Sequence, residues 1–212
     1  MKLLNKKETD LCLDILENTY PDAHCQLDYK SPFELLLATI LSAQCTDVRV
    51  NKITEELFKG YNKPCDFYKM PQEKLEGLIK SAGFYRNKAK NIIETSRVLM
   101  DKYGGEVPGN FEDLVRLPGV GRKTANVVLS NAFNVPALAV DTHVFRVTNR
   151  IGIVAEKTPE DTEIYLCKKI KKERWSKAHH LFIFHGRRIC SARIAKCQIC
   201  PLTDLCRYYK EN

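Results

Sequence analysis

The chain has 212 residues, of which 44% are hydrophobic, enough for a packed core and against a disordered polymer. Thirty-four Lys and Arg stand against 26 Asp and Glu, and the formal charge of +8 favours a polyanionic partner over a neutral small molecule. No segment approaches the roughly 18 consecutive apolar residues of a membrane span, and Met1-Lys2-Leu3-Leu4-Asn5-Lys6-Lys7-Glu8 lacks the apolar stretch of a secretory signal. A soluble protein with no membrane partner, monomeric and cytoplasmic in a prokaryote, is expected.

Apolar residues recur at helical spacing almost throughout, with no run of period-two alternation, so the chain reads as all-α. Ser31-Pro32-Phe33-Glu34 combines a capping box with proline at the first helical position. Phe33, Leu36, Leu37, Ile40 and Leu41 then line one face of a buried central helix. A second helix follows Thr46-Asp47 with Val50, Ile53 and Leu57 inward, a third runs from Pro71 to a stop at Gly83, and a fourth from Asn91 to Tyr103 before Gly104-Gly105. Asn110 caps a short helix leading to Leu117-Pro118-Gly119-Val120-Gly121, a glycine turn that feeds into a helix from Arg122 to Phe133. Asp141 caps the next helix, which ends at Gly152. Thr158-Pro159 opens another that runs to about Trp175, and a last helix from Ser176 delivers the chain to Cys190. Trp175 and the pair Tyr208-Tyr209 read as core or surface filling.

Of nine cysteines, Cys12, Cys25, Cys45, Cys65 and Cys167 are scattered singly and read as small buried hydrophobes in a reducing compartment. Cys190, Cys197, Cys200 and Cys206 fall within 17 residues as C-x6-C-x2-C-x5-C. Four thiolates in one short loop can close around a metal. A zinc site usually takes two CxxC pairs and only one is present, so the spacing favours an iron-sulfur cluster while leaving zinc open. Arg193 and Lys196 lie between the first two cysteines, where a rigid loop would hold cations towards phosphates; keeping the surface soluble is their other reading.

Gly119 and Gly121 let successive N–H groups of the turn point at an anion as the next helix begins. Lys123 then sits in the first helical turn, at the positive end of the macrodipole, where a cation costs roughly 0.3 to 1 kcal/mol. That field, with partial burial and Arg122 alongside, favours the uncharged amine and hence a nucleophile; the ordinary role for such a lysine is an exposed surface group. Asp141, eighteen residues later, is by its position a helix cap. At the end of the apolar run Ala137-Leu138-Ala139-Val140 it can equally stabilise positive charge on a sugar and shuttle protons. His143 reads as a packing or hydrogen-bonding group.

Ser42-Ala43-Gln44-Cys45-Thr46-Asp47, Leu117 to Asn126 with its glycine turn and lysine, Val140-Asp141-Thr142-His143 and the cysteine tail together resemble the endonuclease III family, in its order and separations, from about Ser31 to Cys206. The resemblance implies a helix-hairpin-helix glycosylase fold. Its six-helix domain would occupy residues 25–135, and a cluster domain residues 1–24 and 136–212, with the active site in the cleft between them. It also implies removal of oxidised pyrimidines from double-stranded DNA and cutting at the abasic site. By position, Lys123 resembles the Schiff-base nucleophile, Asp141 the catalytic carboxylate, and Cys190, Cys197, Cys200 and Cys206 the ligands of a [4Fe-4S] cluster. The DNA-contacting positions would be Gln44, Asp47, Phe84, Gly119, Gly121, Arg122, Thr142, His143, Arg193 and Lys196. Phe84 departs from the family, which has a wedging leucine there; Phe is itself a common intercalator. The adenine-mismatch sister enzymes usually lack the lysine and carry an extra C-terminal domain. A thymine-mismatch or uracil specificity, a non-catalytic DNA-binding module and a zinc-stabilised scaffold are the other readings.

Overall fold

The computed structural model describes residues 3–211, and among them there is no β-strand. The chain runs through α1 (Lys6–Thr19), α2 (Pro32–Leu41), α3 (Asp47–Leu57), α4 (Pro64–Tyr68), α5 (Gln72–Ile79) and α6 (Tyr85–Tyr103). It continues through α7 (Phe111–Leu114), α8 (Arg122–Ala132), α9 (Thr142–Ile151), α10 (Pro159–Lys169), α11 (Trp175–Arg188) and α12 (Arg207–Glu211). It divides into two compact units, one Cys25–Val135 and the other the N-terminal stretch up to His24 together with the chain from Pro136 onward.

In the unit Cys25–Val135 the organising element is α2. Leu35, Leu36, Leu37, Ala38 and Leu41 are fully excluded from solvent, and the helix packs against α8 and α6. Its start follows from sequence: Pro32 supplies a preset φ, and Ser31 Oγ accepts from the Glu34 N–H at 3.2 Å. The reciprocal half of the expected capping box is displaced by one residue, because the Glu34 carboxylate accepts from the Lys30 N–H instead of that of Ser31. Helix α6 begins at Tyr85, not Asn91. Its first turns are Tyr85-Arg86-Asn87-Lys88-Ala89-Lys90, in which the buried face is carried by Lys88 and Ala89, so the apolar periodicity that would announce a helix is broken by a lysine on the inside.

In the other unit, Cys12, Leu13 and Leu16 of α1 share a core with Val144, Val147 and Ile151 of α9 and Leu181 and Phe182 of α11. Helix α10 ends at Lys169, six residues short of the expected Trp175. The break is tertiary. Ile170 turns out of the helix into the core, Lys169 Nζ donates to the Leu4 and Ile153 carbonyls at 2.7 and 2.6 Å, and Arg174 is held by Asp10, Asp14 and Glu17 of α1. A helix-favouring run of lysines and glutamate cannot signal such a break. Of the five scattered cysteines, Cys12 is buried as expected, and burial pushes its thiol up to about 12. Cys65 is exposed and Cys25, Cys45 and Cys167 only half-buried, since helical periodicity places Cys65 on the outer side of the short α4. No helix among the described residues is long and apolar enough to cross a membrane.

His180 is buried in α11, and burial first, then the neighbouring His179, His24 and Lys177, hold it at about 3, well below the ordinary 6.5. The unfolded chain therefore binds a proton that the folded chain refuses, and stability falls as pH drops from about 6.5 towards 3. Replacing His180 by Leu should flatten this acid branch; urea titrations at pH 7 and pH 5 should show a smaller loss in the variant than in the parent.

Candidate functional site

The chain between α7 and α8 forms a tight hairpin in which the Val120 N–H returns to the Leu117 carbonyl at 3.1 Å. Gly119 has φ +75°, and a Cβ there would lie 2.6 Å from Asn91 Nδ2, so both conformation and space demand glycine. Gly121 caps α8 in extended conformation, with open space where a Cβ would stand. With no side chain to cap it, the first N–H groups of α8 are offered outward at the positive end of the helix. Arg122 and Lys123 follow on exposed positions, the Arg122 guanidinium lying 5.0 Å over the Phe111 ring. Lys123, the second residue of α8, thus lacks the partial burial expected of it. The Cys25 thiol, raised chiefly by burial, feels Asp47 and Asp28 pushing it up and Lys123 pulling it down, so Asp47 and Lys123 share one neighbourhood.

Beside the hairpin is a concavity of about 230 Å³ lined by Gln44, Phe84, Asn87, Lys88, Asn91 and Gly119, among others. Three of these have left-handed backbone: Gln44 at φ 52°, Phe84 at 56° and Gly119 at 75°. For the two with side chains the conformation costs on the order of 1–3 kcal/mol each, the kind of strain that persists where a side chain must be aimed. The Phe84 ring is 65% exposed, which no core requirement explains. A larger hollow of about 660 Å³ lies along α3, lined by mixed charges and by none of the candidate residues.

In the other unit Asp141 caps α9, its Oδ1 accepting from the N–H groups of His143 and Val144 at 2.8 and 2.9 Å. Thr142 is exposed and His143 half-buried, with Nδ1 3.1 Å from the Arg146 guanidinium. Cys190, Cys197, Cys200 and Cys206 line a single cavity walled by Ile151, Ile189 and Tyr208. Arg150 lies 3.7 Å from Cys190 Sγ, and His185 Nε2 lies 3.6 Å from Cys200 Sγ. His185 is held neutral by burial, at about 4, and its Nδ1 is 3.0 Å from the Tyr20 hydroxyl. Burial first, with the neighbouring thiols adding to it, raises Cys200 and Cys206 above the ordinary thiol value, so ionising the cluster of thiols would call for a compensating cationic centre. Among the described residues no group of three or more His, Cys, Asp or Glu side chains is arranged to hold a single metal ion. Arg193 and Lys196 are exposed on the loop, which is pinned where the Lys196 N–H donates to the Ile189 carbonyl.

The sequence pattern of the HhH-GPD superfamily base excision DNA repair proteins matches residues 37–172. Endonuclease III of Bacillus subtilis (strain 168) is 52% identical over 206 residues, covering 97% of this chain and 94% of that protein. A trapped endonuclease III–DNA covalent intermediate, in an estranged-adenine complex, is similar in structure with a TM-score of 0.94, 51% identity and 99% of each chain covered. The chain belongs to the endonuclease III family. It is a helix-hairpin-helix DNA glycosylase of base excision repair. A thermostable thymine-DNA glycosylase has the same fold at 26% identity and a TM-score of 0.87, covering 97% of this chain and 98% of its own. Within this endonuclease III-like scaffold, Lys88 is the residue that sequence reasoning passed over, because lysine is the side chain least expected inside.

The two hairpin glycines should respond differently. Gly119→Ala should lower the free protein's stability by about 1–3 kcal/mol in urea unfolding, whereas Gly121→Ala should stay within about 0.5 kcal/mol. A loss of duplex affinity in Gly121→Ala then reports on the approach of a phosphate rather than on folding.

Proposed function

We propose that this chain excises oxidised pyrimidines such as thymine glycol from double-stranded DNA and then cleaves the abasic strand by β-elimination. The observation that carries this reading is an exposed lysine in the opening turn of α8, directly after a glycine hairpin and in the same unit as the strained Gln44 and Phe84. A lysine so placed gains nothing in stability but is free to reach a substrate.

The hairpin N–H groups at Gly119 and Gly121, with Arg122, grip phosphate, and Gln44 and Phe84 enter the duplex where the damaged nucleotide is extruded, at a cost of a few kcal/mol that is smallest for poorly stacked bases. Asp47, Thr142 and His143 complete the DNA contacts. Lys123 Nζ, having shed its proton, forms a bond to C1′ as the glycosidic bond breaks and the base departs with a proton. The sugar ring opens to a protonated Schiff base, which acidifies the C2′ proton. Loss of that proton and departure of the 3′ phosphate cut the strand, and water then frees the lysine. Asp141 supports the positive charge that builds at C1′ and carries protons. Cys190, Cys197, Cys200 and Cys206 hold a [4Fe-4S] cluster, which supplies rigidity to the loop bearing Arg193 and Lys196 for phosphate contact. The enzyme works as a monomer in the cytoplasm, on duplexes with damaged bases or abasic sites.

Borohydride should trap a covalent complex with abasic DNA, and Lys123→Ala should abolish trapping while sparing duplex binding; undiminished trapping in that variant would overturn the nucleophile. A panel of duplexes, each with one defined lesion and including a thymine–guanine mismatch, should show strand cutting greatest at oxidised pyrimidines. Freshly purified protein should contain about four iron and four sulfide per chain. Folded, iron-free protein loaded with zinc would remove the cluster from the reading.

A further inference from the structure

Lys88 is 5% exposed, and its Nζ donates to the carbonyl of Leu41, the last residue of α2, at 2.8 Å. Its own backbone N–H donates to the Phe84 carbonyl at 3.1 Å. One residue thus ties two turns. Its main chain holds the left-handed Phe84 at the start of α6, and its side chain holds the helix end from which Ser42, Ala43 and the left-handed Gln44 depart. The turns also meet directly, the Gly83 Cα facing the Gln44 carbonyl closely enough that a Cβ would lie at 3.7 Å. Of these residues Ala43, Gln44, Phe84 and Lys88 border the same concavity as Gly119.

Stability alone does not select a lysine here. A methionine would fill the same length without the desolvation that an ammonium suffers in an interior. Burial does oppose the charge, lowering the Lys88 pKa below the ordinary lysine value, with the nearby Cys45 acting in the other direction. What the ammonium provides is a directed bond to an orphan carbonyl at the negative end of α2, and with it a fixed origin for the Gln44 turn.

We propose that Lys88 is a positioning residue that sets the spacing between Gln44 and Phe84, so that both side chains enter the duplex together. This rests on the reading of Gln44 and Phe84 as the groups that enter DNA. The role is one of geometry on an intact double helix, so it matters for a paired substrate and not for a single strand, where no stack has to be opened.

The test uses the full-length, cluster-loaded enzyme and Lys88→Met. Strand cutting at an abasic site in duplex DNA should fall about tenfold, with the loss in kcat rather than KM. Borohydride trapping on a single-stranded abasic oligonucleotide should stay within about twofold of the parent. The fluorescence rise of 2-aminopurine placed opposite a tetrahydrofuran abasic analogue should disappear, and Lys88→Arg, which keeps a cationic donor, should restore most of it. A parental fluorescence rise and duplex rate in Lys88→Met would overturn the proposal. So would single-strand trapping that falls as far as duplex cutting, since that describes general damage to the fold. Should Lys88→Met fail to fold, Lys88→Gln, too short to reach Leu41, takes its place, with the same losses expected and the same two results overturning the role. Gln44→Ala and Phe84→Ala separate the layers: if neither lowers the fluorescence rise, the reading of those two residues fails, and if both do while Lys88→Met does not, only the spacing role fails.

Discussion

Helix ends are the constraint on which this protein is built. With no strands to pair among the described residues, every helix terminates in N–H or C=O groups that its own ladder cannot satisfy, and each end needs a side chain, a turn or a ligand. Core-forming ends are closed by side chains: Ser31 on α2, Thr46 on α3, Asn110 on α7 and Thr158 on α10. Residues with chemical potential occupy several other helix ends. Gly121 leaves the start of α8 uncapped by a side chain, Asp141 places a carboxylate at the start of α9, Phe84 opens α6 with no side-chain cap, and Lys88 closes α2 from another helix. A helix start is electropositive and suits phosphate or a carboxylate, and a helix finish is electronegative and suits an ammonium. The observed residues obey this sign rule at α2 and α9, and Arg122 and Lys123 break it at α8.

The strain at Gln44 and Phe84 has to be offset elsewhere, since two such residues consume a sizeable part of the roughly 5–15 kcal/mol by which a domain is stable. The compensation is local. Helix α2 buries every residue from Phe33 to Leu41, so the platform from which the Gln44 turn departs is fixed by one of the most completely enclosed segments of its unit. Rigid support beneath strained, exposed side chains is the arrangement needed to insert groups into a stacked duplex. A flexible turn would relax into the right-handed region and lose its aim.

Much of this was legible in the residues. Caps announce themselves by type and position, and Ser31, Thr46, Asn110, Asp141 and Thr158 each accept the expected backbone N–H. The glycine hairpin and the cysteine spacing were equally plain, because both are short-range patterns. What the sequence concealed depends on contacts between distant elements. The end of α10 is decided by Leu4, Ile153 and α1, the start of α6 is masked by an inward lysine, and the exposure of Lys123 and Cys65 depends on which neighbours are absent. The left-handed turns at Gln44 and Phe84 carry no glycine to betray them.

The cysteine tail shows most directly how chemistry substitutes for a core. Beyond Ile189, the buried residues among those described are Cys190, Leu202 and Cys206. A single leucine contributes only about 1.5–3 kcal/mol, far too little to order some twenty residues whose backbone entropy alone costs about 1–2 kcal/mol each. Hydrogen bonds from Arg150 to the Ser191 and Ala192 carbonyls and from Arg146 to that of Cys190 anchor only the entrance of the loop. Two of the three buried residues are thiols lining a common cavity, so the interior of this tail consists largely of sulfur. On the proposed reading, the fold of the segment and the binding of an inorganic centre are one property: a group joining the four sulfurs would also determine where Arg193 and Lys196 stand.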